Sequence, residues 1–290
     1  MFMKLGVVSL SLGFIDFPDI LDFIKEIGGE TLELSTADGV HNNTLKFDSE
    51  CRSSIVESIN ARGMSIASVA GYSDFTSPDA DERQSQVDKV GWYCQLASDL
   101  GVKLVRVMGG SPRESLTHHE MVENIISGFR MAVKIADEHD VILALENHGP
   151  VVNDGPTVVK IIESVGSPNL RVTLDTGNYC WAGHSVEEAM GYFKQVAPYA
   201  ANVHLKDLVF AKDGEAKFVP LGEGLIDLKA VIHILSGVGY DGALLCEYEG
   251  KGDPRVLIKQ GVFNQEEYVE ELRSGTQRSL AHLKSILNSR

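Results

Sequence analysis

Eight short apolar runs alternate with eight longer segments of helical period along this chain. The runs are Lys4–Ser9, Thr31–Ser35, Met64–Ala70, Lys103–Met108, Val141–Glu146, Leu170–Asp175, Ala201–Lys206 and Ala243–Tyr248. Several, such as VILALE and ALLCEY, carry no polar residue until their last positions, which suits strands buried on both faces of a parallel sheet. Between them, helices are predicted from Asp16 to about Ile27, over Asp48–Arg62 and Asp79–Leu100, and from Thr117 to about His139. Further helices are predicted over Pro156–Val165, from Ser185 to about Val196, over Leu228–Val238 and over Gln265–Leu287. Gly28, Gly63, Gly101 and Gly166 stand just past four of them, where a left-handed residue ends a helix. Strict alternation points to one α/β domain over residues 1–290, and eight units point to a closed (β/α)8 barrel. The alternative, an open doubly wound sheet, normally carries a glycine-rich GxGxxG turn after its first strand; here that turn reads SLSLG.

Composition narrows the partners. The net charge is -15, and no basic patch is visible, which argues against nucleic acid. The opening MFMKLGVVSLSLGFIDF lacks a basic lead and a small-residue cleavage site, and no run approaches the roughly 18 apolar residues of a membrane span. The four cysteines, Cys51, Cys94, Cys180 and Cys246, form no CxxC pair and read as small buried hydrophobes in a reducing compartment. A cytoplasmic protein is expected. The long C-terminal helix can pack on its own barrel or on a second copy, so a homo-oligomer stays open.

In such barrels chemistry gathers where the strands end. The strand ends here offer Glu33, Arg106, Glu146 with His148, Asp175, His204 with Lys206, and Glu247 with Glu249. Residues two apart on a strand share a face, so Glu146 and His148, and His204 and Lys206, are expected to point together into the mouth. One acid at a strand end is a cap or a surface charge. Three carboxylates and an imidazole at successive strand ends would repel or stay unpaired unless a dication lay among them. Glu146, Asp175, His204 and Glu247 are therefore the expected metal ligands. Mixed oxygen and nitrogen donors without thiolate suit Mn²⁺, Mg²⁺, Co²⁺ or Zn²⁺. His148 and Lys206 are candidate catalytic groups, or a hydrogen-bonding neighbour and a simple ion-pair partner. Glu33 and Arg106 read as an ion pair or as substrate contacts. His118-His119 reads as a solvated helix start, Cys180-Trp181 as loop packing, and His41 as a residue able to lean over the mouth.

The ordered set ALENHG, VTLDTGN, NVHLKD, PLGEG and LLCEYEG resembles the xylose isomerase-like TIM barrel superfamily over nearly the whole chain. That superfamily includes sugar isomerases and epimerases, hydroxypyruvate isomerase, inosose dehydratase, 3-dehydroshikimate dehydratase and endonuclease IV. The resemblance implies the same four ligands, and it implies that Glu146 and Glu247 also serve as the two acid/base groups. Ketohexose 3-epimerases carry His where this chain has Asn178 and Arg where it has Phe210, which sets the chain apart from that subgroup. Endonuclease IV needs further histidines, and Lys206 to Gly224 contains none.

The expected activity is isomerisation or epimerisation of a small sugar, keto-polyol or other hydroxy-carbonyl compound, in carbohydrate metabolism. A metal would stabilise an enediolate while one glutamate takes a proton and the other returns it. His148 and Lys206 would bond substrate oxygens or stabilise developing charge. Dehydration from the same intermediate, as in inosose or dehydroshikimate dehydratases, is the alternative, and a non-catalytic sugar-binding barrel is a third. With no phosphate cradle visible, an unphosphorylated substrate is favoured.

Overall fold

The computed structural model describes residues 3–289 apart from Asp213, Lys251 and Asp253, so Met1 and Phe2 of the opening run lie outside the described residues. The chain runs β1 (Lys4–Val8), α1 (Phe17–Glu26), β2 (Thr31–Ser35), α2 (Cys51–Asn60), β3 (Ser65–Ala70), α3 (Ala80–Asp99), β4 (Leu104–Val107), α4 (His118–Glu138) and β5 (Ile142–Glu146). It continues with α5 (Gly155–Val165), β6 (Leu170–Asp175), α6 (Asn178–Trp181), α7 (Val186–Val196), β7 (Ala200–Leu205), β8 (Asp207–Phe210) and β9 (Ala216–Val219). Then come α8 (Leu228–Gly237), β10 (Ala243–Cys246), α9 (Pro254–Lys259) and α10 (Gln265–Asn288).

Strands β1 to β7 pair in chain order, and β10 lies between β7 and β1 to close the barrel. Every neighbouring pair in it is parallel. The expected (β/α)8 barrel is the observed fold. Helices form where the apolar spacing foretold. In α4, Met121, Val122, Ile125, Ile126, Phe129, Ala132, Val133 and Ala136 are buried at helical intervals. Its start is fixed by a capping box in which the Thr117 hydroxyl accepts from Glu120 N and the Glu120 carboxylate accepts from Thr117 N. Ser185 and Glu188 repeat that device before α7. The apolar face of α10 packs on its own barrel through Leu272, Leu280, Leu283 and Ile286. All four cysteines are free thiols, three of them buried. Among the described residues no helix is long and apolar enough to cross a membrane.

Three local readings change. The stretch before LGEG, read as a loop, contains an antiparallel hairpin of β8 and β9 in which Asp207 pairs with Val219. The short helices α6 and α9 were not foreseen. Helix α9 buries no residue, so it leaves no apolar period to detect. His41 does not stand free over the mouth. It is buried in a tight turn with its ring against Phe17 and Nε2 3.3 Å from Ser9 Oγ.

Candidate metal centre

The four expected ligands stand at or within one residue of a strand end: Glu146 on β5, Asp175 on β6, His204 on β7 and Glu247 just after β10. Parallel register sets Asp175 directly beside His204, and His204 beside Leu245. The structure brings all four side chains together. One donor atom from each lies within 4.8 Å of the others, and all four residues are buried. His204 Nδ1 is 3.0 Å from Glu247 Oε2, 3.8 Å from Glu146 Oε1 and 3.9 Å from Asp175 Oδ2.

Asp175 Oδ2, His204 Nδ1 and Glu247 Oε2 are buried without a hydrogen-bond partner. Buried polar atoms nearly always make hydrogen bonds, and three that make none, within 4.8 Å of one another, fit a shared cation. The charges fit as well. Four buried carboxylates (Glu33, Glu146, Asp175, Glu247) meet two buried permanent cations (Arg106, Lys206), and without a metal, against the cost of burial, Glu33 and Glu247 hold the His204 imidazole protonated; a dication in place of that proton balances the remaining two negative charges. Without one, a proton stands in. Burial pushes the Asp175 carboxyl up to about 7, against the pull of Lys206 and with repulsion from Glu247 and Glu146 adding to it. Burial acts the same way on Glu247, but Lys206 and His204 overcome it and hold that carboxyl at about 2. Glu146 is also held well below the usual range, where Arg106 and His204 outweigh burial.

Surrounding groups fix each donor. Asp175 Oδ1 accepts from Gly177 N at 2.8 Å and Asn178 N at 2.9 Å. Asn147 clamps the Asp175 backbone, donating to its carbonyl at 3.0 Å and accepting from its N–H at 2.8 Å. Asn178 donates to Glu146 Oε1 at 2.9 Å and accepts from Lys206 Nζ at 3.3 Å. Arg106 Nε lies 3.3 Å from Glu33 Oε1 and 3.4 Å from Glu146 Oε2, so the buried ion pair with Glu33 forms and extends to the ligand set. Lys206 Nζ lies 2.7 Å from Glu249 Oε1, 3.3 Å from Glu247 Oε2 and 3.5 Å from Asp175 Oδ2. His148 sits at the rim, partly exposed, where its ring centroid lies 5.8 Å from that of Trp181.

Some supporting residues were not singled out from the sequence. Asn202 donates to Glu33 at 2.9 Å. Its two-residue spacing from His204 was the available signal. Asp207 had none. Its carboxylate accepts from Leu208 N, Gly222 N, Gly224 N and Ile226 N, all at 2.9–3.0 Å, and so shapes the LGEG turn. Gly224 is required there because a Cβ would meet Asp207 Oδ1 at 2.1 Å. A cavity of about 1210 Å³ opens elsewhere, between Phe14, Asp16, Asn42 and the start of α10, and none of the expected ligands lines it.

Comparison with known proteins agrees with this fold. The L-ribulose-5-phosphate 3-epimerase UlaE of Escherichia coli (strain K12) is 24% identical over 238 residues, covering 78% of this chain and 80% of that protein. Among solved structures, D-psicose 3-epimerase with D-tagatose from Clostridium cellulolyticum H10 superposes with a TM-score of 0.77 at 18% identity, covering 98% of this chain and 99% of that one. The IolI protein with a bound zinc atom gives a TM-score of 0.74 at 19% identity, covering 97% and 99%. The family model for the xylose isomerase-like TIM barrel matches residues 21–284, and by that match the chain belongs to the xylose isomerase-like TIM barrel family.

Proposed function

We propose that this protein is a divalent-metal-dependent epimerase or isomerase of a small sugar or related hydroxy-carbonyl compound. The observation that carries the reading is the convergence of Glu146, Asp175, His204 and Glu247 with three donor atoms lacking any hydrogen bond. A dication bound there supplies Lewis-acid polarisation of a substrate carbonyl, which makes the adjacent C–H more acidic. The chain's own groups handle the proton. Glu247, at one end of the ligand set, is placed to accept one. Glu146 comes from the far side of the ligand set and returns a proton to the same carbon from the other face. Positioned transfers of this kind contribute about 10²–10⁴-fold each. Lys206 and His148 stand next to the two glutamates and are placed to hold substrate oxygens.

UlaE is named for a phosphorylated pentulose, which makes L-ribulose 5-phosphate the first compound to test, alongside unphosphorylated ketoses. The protein, reconstituted with Mn²⁺ or Zn²⁺, is incubated with each compound in D₂O. Deuterium entering at one carbon, with the substrate skeleton otherwise intact, supports the proposal. Loss of water would indicate a dehydratase instead. Absence of any exchange by a metal-loaded protein across the ketose and ketose-phosphate set would overturn it.

A further inference from the structure

Glu33 lies on β2, across the barrel from the strands that carry the four donors, and it is fully buried. Its Oε2 accepts from Ser68 Oγ at 2.6 Å and Asn202 Nδ2 at 2.9 Å, and His204 Nε2 lies 3.0 Å away. Its Oε1 accepts from Arg106 Nε at 3.3 Å. The amide nitrogen of Asn202 and the guanidinium of Arg106 can only donate. Paired with Arg106, Glu33 is a carboxylate and both of its oxygens act as acceptors; Asn202 Nδ2 also lies 3.3 Å from His204 Nε2, but directs its hydrogen to the nearer Glu33 Oε2. His204 Nε2 must then carry its hydrogen toward Glu33. In the neutral imidazole that leaves the lone pair on Nδ1, the nitrogen that faces Glu146, Asp175 and Glu247.

The backbone is shaped for this contact. The β2–β3 register shifts between Leu32 and Glu33, so that Glu33 pairs with Ser68 rather than with Ala67. The β6–β7 register shifts between Val172 and Thr173, so that Thr173 pairs with Asn202. An extra residue in one strand re-aims the side chains that follow it. Both hydroxyl and amide donors to Glu33 thus come from just past an irregularity in the ladder.

We infer that Glu33 is a positioning residue for the bound ion: it fixes the tautomer and ring orientation of His204 so that Nδ1 is the ligating atom. Arg106 completes the device, because it neutralises Glu33 while holding Glu146 Oε2. The inference rests on the metal reading of the site and deepens it.

The test is calorimetric titration of metal-free wild type and Glu33→Gln with Zn²⁺ and with Mn²⁺, together with nitrogen-resolved NMR of the histidines in the Zn²⁺-loaded protein. Wild type should show a solvent-protected imidazole hydrogen on Nε2 of His204. Glu33→Gln should bind both ions about 10–100-fold more weakly, as loss of a carboxylate behind a ligating histidine does. It should also lose the protected signal while its far-ultraviolet spectrum stays unchanged. A folded variant with affinity within threefold of wild type would overturn the inference. So would a hydrogen found on Nδ1 in the wild type, a result that needs no variant and stands if Glu33→Gln fails to fold. Metal binding without deuterium exchange would remove the proposed epimerase activity and leave this inference in place. Failure of wild type to bind either ion would remove both.

Discussion

His204 Nδ1 and Glu247 Oε2 lie 3.0 Å apart, both buried, and neither makes a hydrogen bond. Two such atoms at that separation are normally bonded to each other. Here both also border Asp175 Oδ2 and Glu146 Oε1, with one donor atom of each of the four residues within 4.8 Å of the others. The arrangement holds together in the absence of a cation because Lys206, Arg106 and a protonated His204 offset the crowded charge.

Metal binding should therefore stabilise the fold. A dication at a hundred times its dissociation constant adds about 2.7 kcal/mol. For a chain of this size that is a rise in Tm of about 4–5 °C. Thermal scans with EDTA, Mn²⁺ and Zn²⁺ measure it, and Glu247→Gln should lose most of the shift. An unchanged Tm with both ions at millimolar concentration would contradict a metal site.

Lys206→Met should separate the metal-free protein from the loaded one. Its ammonium is buried among Asp175, Glu247 and Glu249. Removing one member of a buried ionic cluster costs about 3–5 kcal/mol. A bound dication neutralises the same carboxylates, so the loss should shrink when Mn²⁺ is in excess. Urea melts of both forms decide it. Equal destabilisation with and without metal would show that Lys206 does not share its partners with an ion.

The Asp207 carboxylate accepts from four backbone N–H groups, three of which, on Gly222, Gly224 and Ile226, hold residues 222–226 in place. Asp207→Asn places an amide donor against two of them. A hydrogen bond to a charged group contributes about 1.5–3 kcal/mol, so a loss of about 3 kcal/mol or more is expected in equilibrium unfolding. A loss under 1 kcal/mol would mean that the turn is set by Gly222 and Gly224 alone.

His41 should make stability fall in mild acid. Burial lowers its pKa from 6.5 to about 4. Between those values the unfolded chain takes up a proton that the folded chain refuses. The stabilisation is full above pH 6.5 and is lost progressively as pH falls toward 4. At pH 5 this amounts to about 2 kcal/mol. Wild type should lose that much more than His41→Gln between pH 7.5 and pH 5 in urea unfolding; parallel losses would refute it.

How much was legible depends on the kind of signal. Strands β5 and β6 could be read nearly to the residue, because Leu143 to Leu145 and Val172 to Leu174 are buried on both faces and carry no charged residue until Glu146 and Asp175. The donor set could be read for the same reason: charge at the end of a buried strand has no packing explanation. The β8–β9 hairpin could not, since its strands are short and carry exposed residues such as Phe210 and Lys217. The burial of His41 could not be read, because a histidine in a loop carries no sign of it. Its left-handed φ of 56° belongs to a turn whose shape depends on contacts with Ser9 and Phe17.

The chain alone determined the barrel and the order of its chemistry. Hydrophobic period and helix caps are local properties, and each strand's final residues lie at one rim once the barrel closes. Only the tertiary structure decided which groups touch. Glu33 and His204 are 171 positions apart, and their contact depends on shifts in two strand ladders that no local pattern encodes. The same holds for Arg106 between two carboxylates and for Asp207 beneath the LGEG turn, since hydrogen bonds between distant segments follow from register and burial, which exist only after folding.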